Sequence, residues 1–302
     1  MTGGAGFIGS HVVDRLLDGG YEVLVIDDLS TGDRANVAAP AAELAELDIC
    51  DETALSRRLA EFAPTAVCHL AAQASVTFSV RVPARDFEVN VRGTFNVCRA
   101  AADAGAPVVF ASTGGALYGD GAPLPTPEEH PPRPLSPYGA SKLAGESYVA
   151  TWGRLHGLPN VVLRLGNVYG PRQNPHGEAG VVAIFSERLV RGERPTVYGD
   201  GKPTRDYVHV SDVASAFVTA AEGGLAGTFN VGTGVETSVE ELLRRLQEVA
   251  GTSLEPEYAP LRAGELERSS LQPTLMADSL GWRAQVAVDD GLAQTFGAYA
   301  RA

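Results

Sequence analysis

Tyr138 and Lys142 stand four residues apart in the run Tyr138-Gly-Ala-Ser-Lys142. On a helix that spacing stacks a phenol and an ammonium on one face. A neighbouring cation favours phenolate and lowers a tyrosine pKa, which suits Tyr138 to act as general base toward a substrate hydroxyl. An exposed surface pair is the commoner meaning of such spacing. It is weakened by Thr113, which lies 138 − 113 = 25 residues upstream in Ala111-Ser-Thr-Gly, at the C-terminal end of a predicted strand. Ligands of open parallel sheets bind at that end.

A second constellation opens the chain. Thr2-Gly-Gly-Ala-Gly-Phe-Ile-Gly9 carries glycines at 3, 6 and 9 directly before a predicted helix. The first permits a tight turn, the second lets the backbone approach a pyrophosphate, and the third allows close helix packing. The helix N-terminus offers free N–H groups to phosphates. The next apolar strand ends at Asp27, 27 − 9 = 18 residues on, where an acid accepts from the adenosine ribose and repels a 2′-phosphate. The motif therefore calls for NAD rather than NADP, and an oxidised nicotinamide would add its positive charge to that of Lys142. One part of the fingerprint is short: a strand should precede it, yet only Met1 and Thr2 do. The expectation is that the native start lies upstream, and that the strands flanking the absent one are exposed.

These residues need elements to carry them. Short β-branched runs alternate with amphipathic helical stretches through the first half, the pattern of a parallel sheet covered by helices. Helices are expected over Ser10–Leu17, from an Asp51 cap to Phe62, over Phe87–Ala104 and over Pro137–His156. Strands are expected over Glu22–Asp27, Thr65–Leu70, Pro107–Ala111 and Val161–Leu165. Asp120–Pro137 holds six prolines before the one opening the long helix and must be loop. Ser238-x-x-Glu241 is a capping box for a helix running to Val249 and closed by Gly251. The reading is a doubly wound α/β fold. Residues 1–169 form a Rossmann-like NAD-binding domain with return segments from the C-terminal half, and residues 170–302 a smaller α/β substrate domain.

Composition narrows the partners. The formal charge is 24 − 37 = −13, and a body this acidic repels nucleic acid and anionic lipid. Cys50, Cys68 and Cys98 are odd in number and lack zinc spacing, so they read as reduced thiols of a cytoplasmic protein with no metal. No apolar run nears the ~18 residues of a membrane span.

Taken together, TGGAGFIGS, VIDD, HLAAQ, NVRGT, YGASK and RDYVHVSDVA resemble the extended short-chain dehydrogenase/reductase family, and more narrowly its UDP-glucose 4-epimerase-like branch. The resemblance runs through nearly the whole chain in order. It implies that Gly3, Gly6, Phe7, Ile8 and Gly9 cradle the NAD pyrophosphate. Asp27 and Asp28 would meet the adenosine ribose, and Asp48 and Ile49 the adenine. Leu70, Ala71, Ala72 and Gln73 would lie along the cofactor, with Asn90 as the family's helix asparagine. Thr113 would hold the reacting sugar oxygen, with Ser112 as a neighbour able to share that role. Tyr138 would be the base, and Lys142 would bind the nicotinamide ribose. A UDP-sugar would be met by Asn167, Val182, Tyr198, Arg205, Tyr207, Arg262, Glu265 and Ser269, the last a small residue leaving room for an N-acetyl group.

Within that family, dehydratases and decarboxylases carry an acid just after the Ser/Thr, where this chain has Gly114 and Gly115. The activity implied is C4 epimerisation of a UDP-hexose through a transient 4-keto sugar, by a homodimer. UDP-glucuronate epimerisation, or another nucleotide-sugar dehydratase or reductase activity, is the alternative within the family. A non-catalytic dinucleotide-binding protein is the alternative outside it, opposed by the joint presence of Thr113, Tyr138 and Lys142.

Overall fold

The computed structural model describes residues 1–37, 42–176, 180–260 and 266–301. Helix α1 (Phe7–Asp18) leads into β1 (Val23–Asp27), β2 (Ala42–Glu46), α2 (Glu52–Phe62) and β3 (Val67–His69). Then come α3 (Val76–Arg81), α4 (Pro83–Phe87), a π-helical stretch (Glu88–Gly93), α5 (Thr94–Asp103) and β4 (Val108–Thr113). After the proline-rich loop follow α6 (Pro137–His156), β5 (Val161–Leu165), β6 (Asn167–Tyr169), α7 (Val181–Val190) and β7 (Thr196–Tyr198). The chain continues with β8 (Thr204–Arg205), β9 (Tyr207–His209), α8 (Val210–Glu222) and β10 (Gly227–Val231). It ends with β11 (Thr237–Ser238), α9 (Val239–Ala250), β12 (Glu257–Ala259), α10 (Thr274–Leu280) and α11 (Val288–Tyr299).

The main sheet is parallel. β2 pairs with β1, and β3, β4, β5 and β10 pair in that order. Thr2 bridges both halves, opposite Ile26 on one side and His69 on the other. Every residue of β1 and β5 is buried, as continuous apolar strands covered on both faces must be. The polypeptide is thus a Rossmann-like α/β fold, as its sequence predicts, with β10 from the C-terminal half beside β5.

Two expectations need correcting. The strands flanking Met1 and Thr2 are not exposed: Leu24 and Val67 are 3% and 2% accessible. Their faces are covered by side chains such as Leu16, Leu59, Phe62 and Val218, and a cavity of about 210 Å³ lies between these strands beyond Met1. The helix expected over Phe87–Ala104 is also not uniform, because Glu88–Gly93 is π-helical. The widened turn frees the Asn90 carbonyl, which accepts from Thr94 Oγ1 at 2.7 Å. Periodicity of apolar residues cannot register one inserted residue.

Local signals explain the rest. Ser136 caps α6 by accepting from Gly139 N, Pro137 occupies its first turn, and Gly157 closes it in the left-handed region. Asp51 and Ser238 cap α2 and α9 as expected. No helix among the described residues is long and apolar enough to cross a membrane. All three cysteines are free.

Candidate active site

The glycine turn is built around close approaches. A Cβ on Gly3 would lie 2.5 Å from Ala71 N, and one on Gly9 only 2.0 Å from Gly3 O. Neither position admits a side chain. Gly6 precedes α1 with no side-chain cap, so the first-turn N–H groups of the helix remain available. They face a cleft of about 1830 Å³. Gly3, Gly6, Phe7, Ile8 and Gly9 line it, together with Asp27, Asp28, Asp48, Ile49, Leu70, Ala71, Ala72, Gln73, Tyr138 and Lys142. An uncapped helix start behind a side-chain-free turn, followed by a strand-end carboxylate, fits the pyrophosphate and ribose of a dinucleotide.

Asp27 has a structural task as well. Its carboxylate accepts from Ala5 N and Leu29 N, each at 2.9 Å, and so ties the glycine turn to the end of β1. Leu29 has φ +55°, a left-handed conformation that costs a non-glycine residue about 1 kcal/mol. Burial raises the Asp27 pKa above the usual carboxylate range.

Asn90 does not line the cleft. Its side chain is 1% exposed and binds both backbone polar groups of Gln73, accepting from N at 2.9 Å and donating to O at 2.8 Å. It thereby fixes the segment after β3 that forms one wall.

Tyr138 and Lys142 share one face of α6, and Thr113 ends β4. Thr113 lies close enough to the Tyr138 phenol to lower its pKa, while its Oγ1 accepts from Ala116 N at 3.2 Å. Ser112 is committed elsewhere, donating from Oγ to Glu146 Oε1 at 2.5 Å. Of the two hydroxyls, Thr113 is therefore the one left to act on Tyr138. The Lys142 ammonium donates to Ala111 O at 2.9 Å and sits 4.8 Å over the Phe110 ring.

The electrostatics of the protein alone contradict one expectation. Tyr138 is not made acidic by Lys142; burial pushes its phenol up to about 12, against the lowering effect of the Thr113 bond. Burial likewise brings Lys142 down to about 8. The ammonium is aimed at a backbone carbonyl, and the charge felt at the phenol is that of Asp86, which raises it further.

The substrate-side residues are more scattered. Asn167 begins β6, donates from N to Asp206 O at 2.8 Å, and lies beside Gly115. Arg205 and Ser269 adjoin, since Arg205 NH1 and Ser269 N both donate to Thr204 O. Tyr207 is buried edge-on to Tyr169, and Tyr198 ends β7 with 37% exposure. Val182 is 1% exposed, inside the core shared with Phe185 and Leu242. Arg262 and Glu265 lie outside the described residues.

Several cleft residues escape sequence reasoning. Ser75, Thr77, Phe78, Arg81 and Arg85 line one wall, and Pro171–His176 with Tyr299 another. Asp86 and Glu146 lie beneath the site; each stands four residues from a residue already singled out, Asn90 or Lys142, and that spacing is their only signal.

Comparison with known proteins agrees with this geometry. Residues 1–232 match the NAD dependent epimerase/dehydratase family. The chain is 49% identical to a UDP-glucose 4-epimerase of Mycolicibacterium smegmatis, over 98% of this chain and 96% of that protein. It superposes with TM-score 0.97 on a UDP-glucose 4-epimerase of Thermotoga maritima crystallised with UDP-glucose, at 46% identity, covering 99% of this chain and 97% of that one. A Thermus thermophilus UDP-glucose 4-epimerase in complex with NAD gives TM-score 0.91 and 48% identity over 99% of this chain and 97% of that one. The chain belongs to the NAD dependent epimerase/dehydratase family.

Proposed function

For this member of the family we propose C4 epimerisation of a UDP-hexose, with UDP-glucose and UDP-galactose as the principal pair and NAD as cofactor. The observation that carries the reading is Tyr138 with Lys142 on the same cleft as the glycine turn, with Thr113 acting on the Tyr138 phenol. The relatives bound to UDP-glucose and to NAD support the ligands.

NAD, when bound, would supply an acceptor and donor for the C4 hydride and a positive charge in its oxidised form. The protein does the rest. Thr113 holds the sugar 4-oxygen, and Tyr138 removes the proton from that oxygen and later restores it. Lys142 holds the nicotinamide ribose. Binding energy from the nucleotide, gathered by Arg205, Arg262 and the residues around them, retains the 4-keto sugar while it turns over to present its other face.

Elimination chemistry has no acid to work with after Thr113. A side chain at Gly114 would meet Leu271, 2.4 Å from its Cδ1 and itself only 1% exposed. Ser269 is a small residue, which we read as leaving room for a larger C2 substituent, so UDP-N-acetylglucosamine belongs to the proposed range; a uronate is the second reading. The enzyme is proposed to act in the cytoplasm as a homodimer, through the face formed by α4, α5 and α6.

The test offers each UDP-sugar in turn to the purified protein and follows interconversion. Tyr138→Phe should lower turnover by ~10²–10⁴-fold, the usual worth of a general base, while NAD stays bound because the ring remains. Near wild-type turnover in that variant would remove Tyr138 from its role.

A further inference from the structure

The geometry points to Asp86 as the buried counter-charge of Lys142, a positioning residue that keeps the ammonium protonated where water is excluded. The inference deepens the assignment of Lys142 above, and its test has a readout that does not depend on turnover.

Lys142 is 4% exposed, and the groups it touches, Ala111 O and the Phe110 ring, carry no formal charge. A buried cation in such surroundings is costly unless an anion faces it. Four titratable groups do face this region. Tyr138, on the same helix, is a neutral phenol, held up at about 12. His69, on β3, is neutral, pushed by burial to about 3. Glu146, one turn along α6, is already taken. It receives Arg164 in a two-pronged bond of 3.0 and 2.7 Å, and the Ser112 hydroxyl at 2.5 Å. Glu146 is thus paired with Arg164, and its influence on Lys142 comes after that of Asp86.

Asp86, on α4, is the remaining group. It is 1% exposed, and its Oδ1 accepts from Gln73 Nε2 at 2.7 Å and Asn90 Nδ2 at 3.1 Å. Among the described residues it makes no ion pair within 4.0 Å. Amide donors carry no formal charge to cancel that of a carboxylate. The field of Asp86 therefore reaches Lys142 uncompensated, and it is the largest influence opposing desolvation there. A mechanical link accompanies the electrostatic one. Asn90 Nδ2 also donates to Ser141 Oγ at 3.2 Å, and Ser141 directly precedes Lys142.

The chain contains two lysines, Lys142 and Lys202, and Lys202 is 80% exposed at its side chain. Protein labelled with ¹³Cε-lysine therefore gives two side-chain resonances, with Lys202 as internal reference. In the wild type, Lys142 should titrate near 8. Asp86→Asn keeps an acceptor oxygen for Gln73 and removes the charge. Its Lys142 midpoint should fall by about one unit, a tenfold weaker hold on the proton. Asp86→Glu keeps the charge and disturbs the contacts, and its midpoint should stay near that of the wild type. The alkaline limb of the pH–activity profile should move down with the midpoint in Asp86→Asn alone. If Asp86→Asn fails to fold, Asp86→Ser supplies the neutral member of the comparison. An unchanged midpoint in the neutral variant, or an equal fall in Asp86→Glu, would overturn the proposal and leave Asp86 as a tether for Gln73 and Asn90. Absence of UDP-sugar turnover in the wild type would refute the proposed function while leaving the titration result to stand by itself.

Discussion

Asp27 combines a scaffolding contact with a proposed binding contact, and the two can be separated by substitution. Its carboxylate accepts from Ala5 N and Leu29 N, so Asp27→Ala would leave both donors in a buried turn without a partner. Asp27→Asn retains one acceptor oxygen and removes the charge proposed to meet a ribose or repel a 2′-phosphate. NAD affinity should then fall about tenfold, the worth of one charge-assisted hydrogen bond, and the preference for NAD over NADP should narrow. Fluorescence titration with both dinucleotides measures it; an unchanged ratio would mean that another residue reads the ribose. Residues such as Asp27, Gly3, Tyr138 and Lys142 were legible in the sequence because their chemistry demands fixed types at short, fixed spacings. Their surroundings were not. Asp86 and Arg164 come from other elements, and only the fold brings their charges to α6. The same holds for the Tyr138 phenol, whose acidity could not be judged from a neighbouring lysine before the burial of both was known.

The element that most escaped sequence reading is the π-helical stretch, and it is held by a buried relay. His69 Nδ1 and Nε2 lie 2.7 Å from Thr2 Oγ1 and 3.0 Å from Thr94 Oγ1, and Thr94 Oγ1 donates to Asn90 O. Because the Thr94 hydrogen is spent on Asn90, Nε2 must carry the histidine proton and Nδ1 must accept from Thr2. Thr94→Val keeps the shape and leaves the Nε2–H group and the Asn90 carbonyl unpaired. It should cost about 2 kcal/mol in urea unfolding and lower activity through Asn90; unchanged stability would show that the relay does not hold the turn. The relay also has a pH signature. An unfolded histidine titrates near 6.5, whereas His69 is held down at about 3. Between those values the unfolded chain binds a proton that the folded chain refuses, so stability falls as pH falls below about 6.5. The contribution of this one group is about 1.4 kcal/mol per pH unit. His11 and His209 are also lowered by burial and act in the same direction. Asp27, Glu128 and Asp206 are raised, act in the opposite direction, and matter nearer pH 4. The slope between pH 6.5 and 5 should therefore be shallower in His69→Gln than in the wild type. Equal slopes would mean that His69 takes up its proton in the fold.

At the scale of the whole molecule, the parallel sheet and its helices follow from patterns that run over many residues, which is why they survive small errors at their ends. The face proposed for self-association rests instead on accessibility. Phe87 and Leu155 are 58% and 68% exposed, and Tyr148 at 38% packs edge-on against Phe95. Trp152 joins the same aromatic group. Apolar side chains gathered on one helical face mark an interaction surface, and a two-fold axis through α5 and α6 would cover both copies with the same residues. Sedimentation at micromolar concentration should then give twice the 31.6 kDa of the chain. Two bodies of charge −13 repel, so the dimer should tighten as ionic strength rises from ~0.01 M to ~0.15 M, where the Debye length shrinks from ~30 Å to ~8 Å. Tyr148→Asp with Leu155→Asp would set like charges against each other across the axis and should yield a monomer. The proposed interface helices also carry Ser141, Lys142 and the approach to Asn90, so that monomer should hold NAD less firmly than the dimer. A wild-type protein sedimenting as a single chain, or a doubly substituted one still paired, would show that this face is not the one that joins the copies.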